Sequence, residues 1–214
     1  MTKPAPAFGF YNMWNAALSK RRFKINLAFT LIFIATSLIL LTSFLKYVEM
    51  RPGVNLKDPF LMLFHPVDVT WIIFIAIYSS LVISLTGLLK NPQLLLEGLQ
   101  AYALMVIVRI AAMYLMPLNP PADMIPLADP FVQLFGPSQL LTKDLFFSGH
   151  TATLFLLFLF EHRPVYKKII LAALFIVAFS VILQHVHYTL DVFAAPFFTF
   201  CCYAIIKRLN LRTW

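Results

Sequence analysis

Apolar runs long enough to cross a bilayer recur along this chain, and they dictate the kind of fold open to it. The stretches at about 27–45, 69–89 and 94–116 each come close to the roughly 20 residues a helix needs to cross about 30 Å of hydrocarbon. Shorter runs follow at about 146–160, 168–183 and 190–206. In hydrocarbon every backbone polar group must be satisfied within the segment, so such runs fold as helices. The expectation is an all-α polytopic membrane protein with six transmembrane helices. Composition points the same way: 12% of the 214 residues are charged and 61% are hydrophobic, whereas a soluble domain carries roughly 25% charged residues.

The chain divides into a cytoplasmic N-terminal segment (1–26), a six-span membrane domain (27–206) and a basic cytoplasmic tail (207–214). Residues 8–19 read as either an interfacial helix or a frayed tail. No cleavable signal peptide is expected: the run after Lys20, Arg21, Arg22 and Lys24 is long enough to span. With the N-terminus inside, the inner segments hold those four cations with Lys3, Lys90, Arg163, Lys167, Lys168, Lys207, Arg208 and Arg212. The outer segments hold Lys46, Arg51, Lys57 and Lys143. This bias puts both termini in the cytoplasm. The net charge of +8 is therefore a topology signal, and no nucleic-acid partner is expected.

Cys201 and Cys202 are adjacent within an apolar run and read as small apolar fillers, with no metal site and no disulfide framework. The outer loop 117–143 carries Pro117, Pro120, Pro121, Pro126, Pro130 and Pro137 among apolar residues. A loop of this length is usually functional or disordered, and a lid or substrate-entry wall is expected here, with a plain connector as the alternative.

Polar groups concentrate at the two ends of the stretch Asp144–Asp191. It opens with Asp-Leu-Phe-Phe-Ser-Gly-His-Thr (144–151) and closes with His-Val-His-Tyr-Thr-Leu-Asp-Val (185–192). A run, a turn and a second run bring these ends to one membrane edge, the extracytoplasmic one by the charge count. His187 and Asp191 are four apart and share a face if the last helix continues one turn back. An aspartate on one ring nitrogen fixes the tautomer and leaves the other nitrogen as nucleophile or base. His150 follows Ser148-Gly149 at a helix start, where free amides favour anions. One histidine attacking phosphorus while a second protonates the leaving oxygen is a metal-free phosphoryl-transfer pair. Arg109, about two turns below the end of the third span, needs an anion: a lipid phosphate, or a carboxylate such as Asp144 or Asp191. Asp144 could orient a histidine or polarise a hydroxyl, Lys143 sits at the interface, and His185 is a supporting group or faces headgroups. Glu97, His65 and His162 read as structural.

Ser148-Gly149-His150-Thr151 with Asp144 four residues before the serine resembles the third signature of the sphingomyelin synthase family. His187-Tyr188-Thr189-Leu190-Asp191-Val192 resembles its fourth, flanked by His185, and Arg109 with Met113 resembles its second. The resemblance covers roughly residues 95–195. It implies a six-span enzyme related to the lipid phosphate phosphatases, with His150, His187 and Asp191 as catalytic triad. Arg109, Asp144, Ser148, Gly149, His185 and Tyr188 are the expected substrate-binding residues. The lipid phosphatase branch has Ser-Arg where this chain has Ser180-Val181, so the arginine clamp for a phosphate monoester is missing and a phosphodiester is favoured. Val186, Pro196-Phe197 and Thr142-Lys143 also depart from the synthase pattern, and the expectation is of a chain without the sterile-alpha-motif domain of the synthases.

The expected activity is transfer of phosphocholine or phosphoethanolamine from a glycerophospholipid to a lipid alcohol such as ceramide, without a cofactor. The alternatives are hydrolysis at the same site, as a lipid phosphatase or phospholipase C-like enzyme, and non-enzymatic lipid binding or transport. The partners expected are phospholipid, lipid alcohol and the bilayer; homo-oligomerisation is left open.

Overall fold

The computed structural model describes residues 10–129 and 141–211. Within them lie seven α-helices: α1 Phe10–Ser19, α2 Arg21–Met50, α3 Thr70–Leu88, α4 Pro92–Leu115, α5 Gly149–Phe160, α6 Pro164–Leu183 and α7 Thr189–Leu211. All of these but α1 and α5 are long and apolar enough to cross a membrane. Exposed apolar side chains band their outer faces, among them Phe29, Ile32 and Ile39 on α2, Phe175 and Phe179 on α6, and Phe193, Phe197 and Phe200 on α7. This is the apolar exterior that a bilayer covers. The chain is therefore an all-α polytopic membrane protein.

The expected fourth span is the one that differs most. It starts at Gly149 and has 12 residues, about 18 Å of helix, too short to cross the hydrocarbon core alone. Its surroundings explain how so short a helix is tolerated. α5 packs against α3, α4, α6 and α7 and is apolar all round, as a fully enclosed helix should be. Leu154 enters a core built with Ile73, Val177 and Val181. Ala152, Leu156 and Phe160 enter a second core with Met105, Ala195 and Cys202. The non-helical backbone before α5 thus enters the protein interior, the one place where irregular backbone is tolerated at membrane depth.

The other helices overrun their apolar runs in ways that matter for the site. α2 extends from Arg21 to Met50, which carries Glu49 beyond the hydrocarbon-length run. α6 begins at Pro164 as its N1 residue, a position where proline's fixed φ and missing N–H cost nothing. α1 is a helix and not a frayed tail, and its Trp14 Nε1 donates to Leu89 O at 2.8 Å, docking it on the α3–α4 turn.

The connecting segments at the far end of the bundle from α1 are knitted together. Asn119 exchanges side-chain hydrogen bonds with the backbone of Gly53, and an isolated bridge pairs Val54 with Leu118. Gln184, fully buried, accepts from Val69 N with its side chain and donates to Thr70 Oγ1 and Ile125 O. Part of the proposed lid, 130–140, lies outside the described residues. The described part, 117–129, is held against the other loops by these bonds.

Candidate active site

Two helix starts meet at this end of the bundle, and their capping chemistry positions the site. Ser148 caps α5, its Oγ accepting from Thr151 N at 3.5 Å and Thr151 Oγ1 at 3.1 Å. Such a cap is worth about 1 kcal/mol. α7 begins at Thr189, so His187 precedes the helix and the expected continuation one turn back is absent. The His187–Asp191 contact arises differently. Asp191 is the third residue of α7, and its Oδ2 reaches back to accept from Tyr188 N at 3.1 Å, the geometry of a capping box. The same oxygen lies 3.2 Å from His187 Nδ1. Asp191 thereby caps the helix and contacts the imidazole with one atom, on the Nδ1 side of the ring.

The two motifs are joined directly: Ser148 N donates to Asp191 O at 3.3 Å. His150, the second residue of α5, packs edge-on against the Phe74 ring at a centroid distance of 5.9 Å. It lies within electrostatic reach of His187, Arg109 and Asp144. The expected trio thus converges at one end of the bundle. His187 and Asp191 are almost fully buried.

Arg109 takes the carboxylate option left open in the sequence. Its guanidinium pairs with Asp144 Oδ1 at 2.5 Å, and its Nε donates to Phe147 O at 3.0 Å. It also lies flat over Gly149, where an added Cβ would sit 2.7 Å from Cζ. Gly149 is therefore required by close approach. The guanidinium shares the α5 N-terminus, where the helix's first amides have no intrahelical acceptor. Cation and free amides together make an anion site. Arg163 is remote from it, paired with Glu161 at the other end of α5.

The remaining predicted residues divide. Tyr188 is buried and its hydroxyl donates to Asn119 O at 3.0 Å, so it braces the loops. His185 is 4% exposed, packs against Phe64, and its Nε2 has no hydrogen-bond partner. Phe146 (φ 73°) and His185 (φ 55°) are the non-glycine residues with positive φ among those described, and they flank the two motifs. Backbone strain of this kind, about 1–3 kcal/mol each, clusters at functional sites. Lys143 Nζ donates to Arg51 O, an interfacial brace. Glu97 pairs with Lys207 and Gln93 at the opposite end. His65 and His162 are exposed. Among the described residues no three His, Cys, Asp or Glu side chains group as metal ligands.

Three supporting residues escaped the sequence reading. Glu49, at the end of α2, accepts from Thr142 N and Lys143 N and so anchors the backbone just before Asp144. Asp58 accepts from Thr189 N at 2.7 Å, capping α7 from another loop. Gln184 ties three loops beneath His185. The only available signal was their polarity beside apolar runs, which says nothing about partners.

Residues 143–208 match the family model described as PAP2 superfamily C-terminal. The match supports the superfamily without selecting the sphingomyelin synthase branch. It contains Asp144 and both histidine motifs and stops short of Arg109. No curated protein and no solved structure matches the chain.

Proposed function

We propose that this protein is a membrane phosphotransferase that moves a phospho-headgroup from a glycerophospholipid to a lipid alcohol such as ceramide. The observation that carries the reading is the pairing of an aspartate-oriented histidine with a second histidine at a helix N-terminus already holding an arginine. The PAP2 match supports lipid phosphatase or phosphotransferase chemistry in general; the transfer, its substrates and the residue roles are our reading. His187 Nε2 attacks phosphorus and forms the N–P bond as the P–O bond to diacylglycerol breaks. His150 gives its proton to the departing oxygen. The acceptor hydroxyl then gives its proton to His150 and attacks phosphorus, breaking the N–P bond and freeing His187. Arg109 and the first amides of α5 stabilise the phosphoryl oxygens as charge develops. Asp191 holds the tautomer and offsets the imidazolium charge.

A phosphodiester donor is favoured over a monoester. Arg109 is already paired with Asp144, and the position of the phosphatase branch's Ser-Arg holds Ser180-Val181 here. The charge bias of the loops supports an extracytoplasmic site with both termini in the cytoplasm.

The test is purified protein in defined lipid with labelled phosphatidylcholine or phosphatidylethanolamine, with and without ceramide, and products resolved by mass spectrometry. Headgroup-labelled ceramide and an acid-labile phospho-histidine are expected. Release of free phosphocholine or phosphoethanolamine alone makes the enzyme a hydrolase. No product from any donor refutes the enzymatic reading.

A further inference from the structure

Among the three loops of this end, α2–α3, α4–α5 and α6–α7, lies a pocket of about 470 Å³. Its wall includes Lys57, Asp58, Asp123, His185 and Tyr188. His185 and Tyr188 flank His187 in sequence, and Asp58 is bonded to Thr189, so the pocket is built on the segment that carries the nucleophile, with His187 itself outside its wall. We infer that it holds the primary ammonium end of the substrate's headgroup, which makes an ethanolamine-type phospholipid the preferred donor. This deepens the phosphotransferase reading and rests on it.

Three observations converge. The first is charge. Asp58 and Asp123 carry two negative charges against one positive charge on Lys57, a balance that one monovalent cation neutralises. Burial pushes the Asp58 carboxyl up, but hydrogen bonds from Thr189, Phe60 and Leu61 outweigh it and hold the group below its ordinary value, so it is ionised at neutral pH. The second is His185. The residue lines the pocket and is nine-tenths buried or better; its Nε2 is unpartnered and closed off from solvent, so a ligand reaches it by a small turn of the ring, and a buried polar atom without a partner costs about 1–3 kcal/mol. Burial also lowers its proton affinity, so the ring is neutral and can accept a hydrogen bond. The ring packs edge-on against Phe64 at a centroid distance of 5.3 Å.

The third observation separates primary from quaternary amines. A quaternary ammonium is recognised by a cage of aromatic faces. Here Tyr188 is the one tyrosine, phenylalanine or tryptophan in the wall, it is 3% exposed, and its hydroxyl is bound to Asn119. A quaternary ammonium also has no N–H to give His185. A primary ammonium has three, enough for both carboxylates and the imidazole.

The experiment measures equilibrium binding of short-chain phosphatidylethanolamine, phosphatidylcholine and phosphatidylglycerol to the detergent-solubilised full chain carrying His187→Gln. Because binding needs no turnover, its outcome is independent of the transferase assay. Phosphatidylethanolamine should bind about tenfold or more tightly than the other two, roughly the value of one good charged hydrogen bond. Asp123→Asn, at an exposed side chain, and Asp58→Asn, which keeps an acceptor for Thr189, should each bring the ethanolamine-to-glycerol ratio towards one. His185→Phe should erase the ethanolamine-to-choline difference. Glycerophosphoethanolamine should compete better than free ethanolamine, because the phosphate shares the site. Equal affinities in the parent, a preference for choline, a ratio unmoved by Asp123→Asn, or equal competition by free ethanolamine overturns the assignment.

Discussion

The two ends of α5 carry the same device put to different ends. At its start, Arg109 lies over Gly149 and pairs with Asp144. At its finish, Arg163 lies over Gly87, where an added Cβ would sit 2.9 Å from Nη2, and pairs with Glu161. Arg163 spends its guanidinium on protein: Glu161 takes Nε and Nη2, Ile83 O takes Nη2 and Thr86 Oγ1 takes Nη1. Arg109 uses Nε on Phe147 O and Nη2 on Asp144. At the same end of the bundle His150 Nδ1, Asp191 Oδ1 and His185 Nε2 are buried without hydrogen-bond partners. Buried polar groups are normally satisfied. Ser80 Oγ and Ser84 Oγ on α3 are also buried without partners, so the contrast rests on the two arginines themselves: Arg163 is bonded through all three guanidinium nitrogens and Arg109 through two.

The largest effect should fall on the histidines. His187→Ala and Asp191→Asn are expected to reduce headgroup transfer by about 10⁴-fold, measured as initial rate in defined lipid. The thermal midpoint should show the protein still folded. A small loss would return the site to lipid binding alone.

Arg109→Lys is next. Lysine keeps the charge but cannot pair with Asp144 and donate to Phe147 O in one plane, and transfer should fall about 10²-fold. Arg163→Lys should leave the rate within about twofold and lower only the thermal midpoint. Equal effects on rate would erase the contrast between the ends.

Gly149→Ala and Gly87→Ala sharpen it further. The first displaces the Arg109 guanidinium and should slow transfer about 10-fold or more, since small misplacements near the chemistry are costly. The second displaces Arg163 and should be read in stability alone.

The smallest effect is in pH. Burial raises the Glu161 proton affinity, but its hydrogen bonds and ion pair with Arg163 dominate, and its folded pKa lies below the ordinary carboxylate value. A depressed pKa stabilises above the unfolded value and ceases to do so as pH falls through the folded one. The midpoint difference between the parent and Glu161→Gln should therefore be full at pH 7 and shrink below about pH 4.5. A difference that grows on acidification would show that the pair does not act this way.

Much of this protein was legible in its residues alone. Run length announced spanning helices, because hydrocarbon imposes one local rule on every backbone. His150, His187 and Asp191 stood out because ionisable groups are scarce at membrane depth. The reading misjudged α5, since whether a 12-residue apolar helix suffices depends on the four helices that enclose it. It also placed Asp191 beside His187 by helical periodicity, whereas the contact comes from a side chain reaching back past a helix start. The tertiary structure alone decided that Arg109 takes Asp144, 35 residues away, and that Asp58 caps a helix 131 residues further on. Spacing along a helix fixes neighbours within a few residues. Which loops share the end of a bundle is settled only when the helices pack, and the partners of the lone polar groups are settled with them.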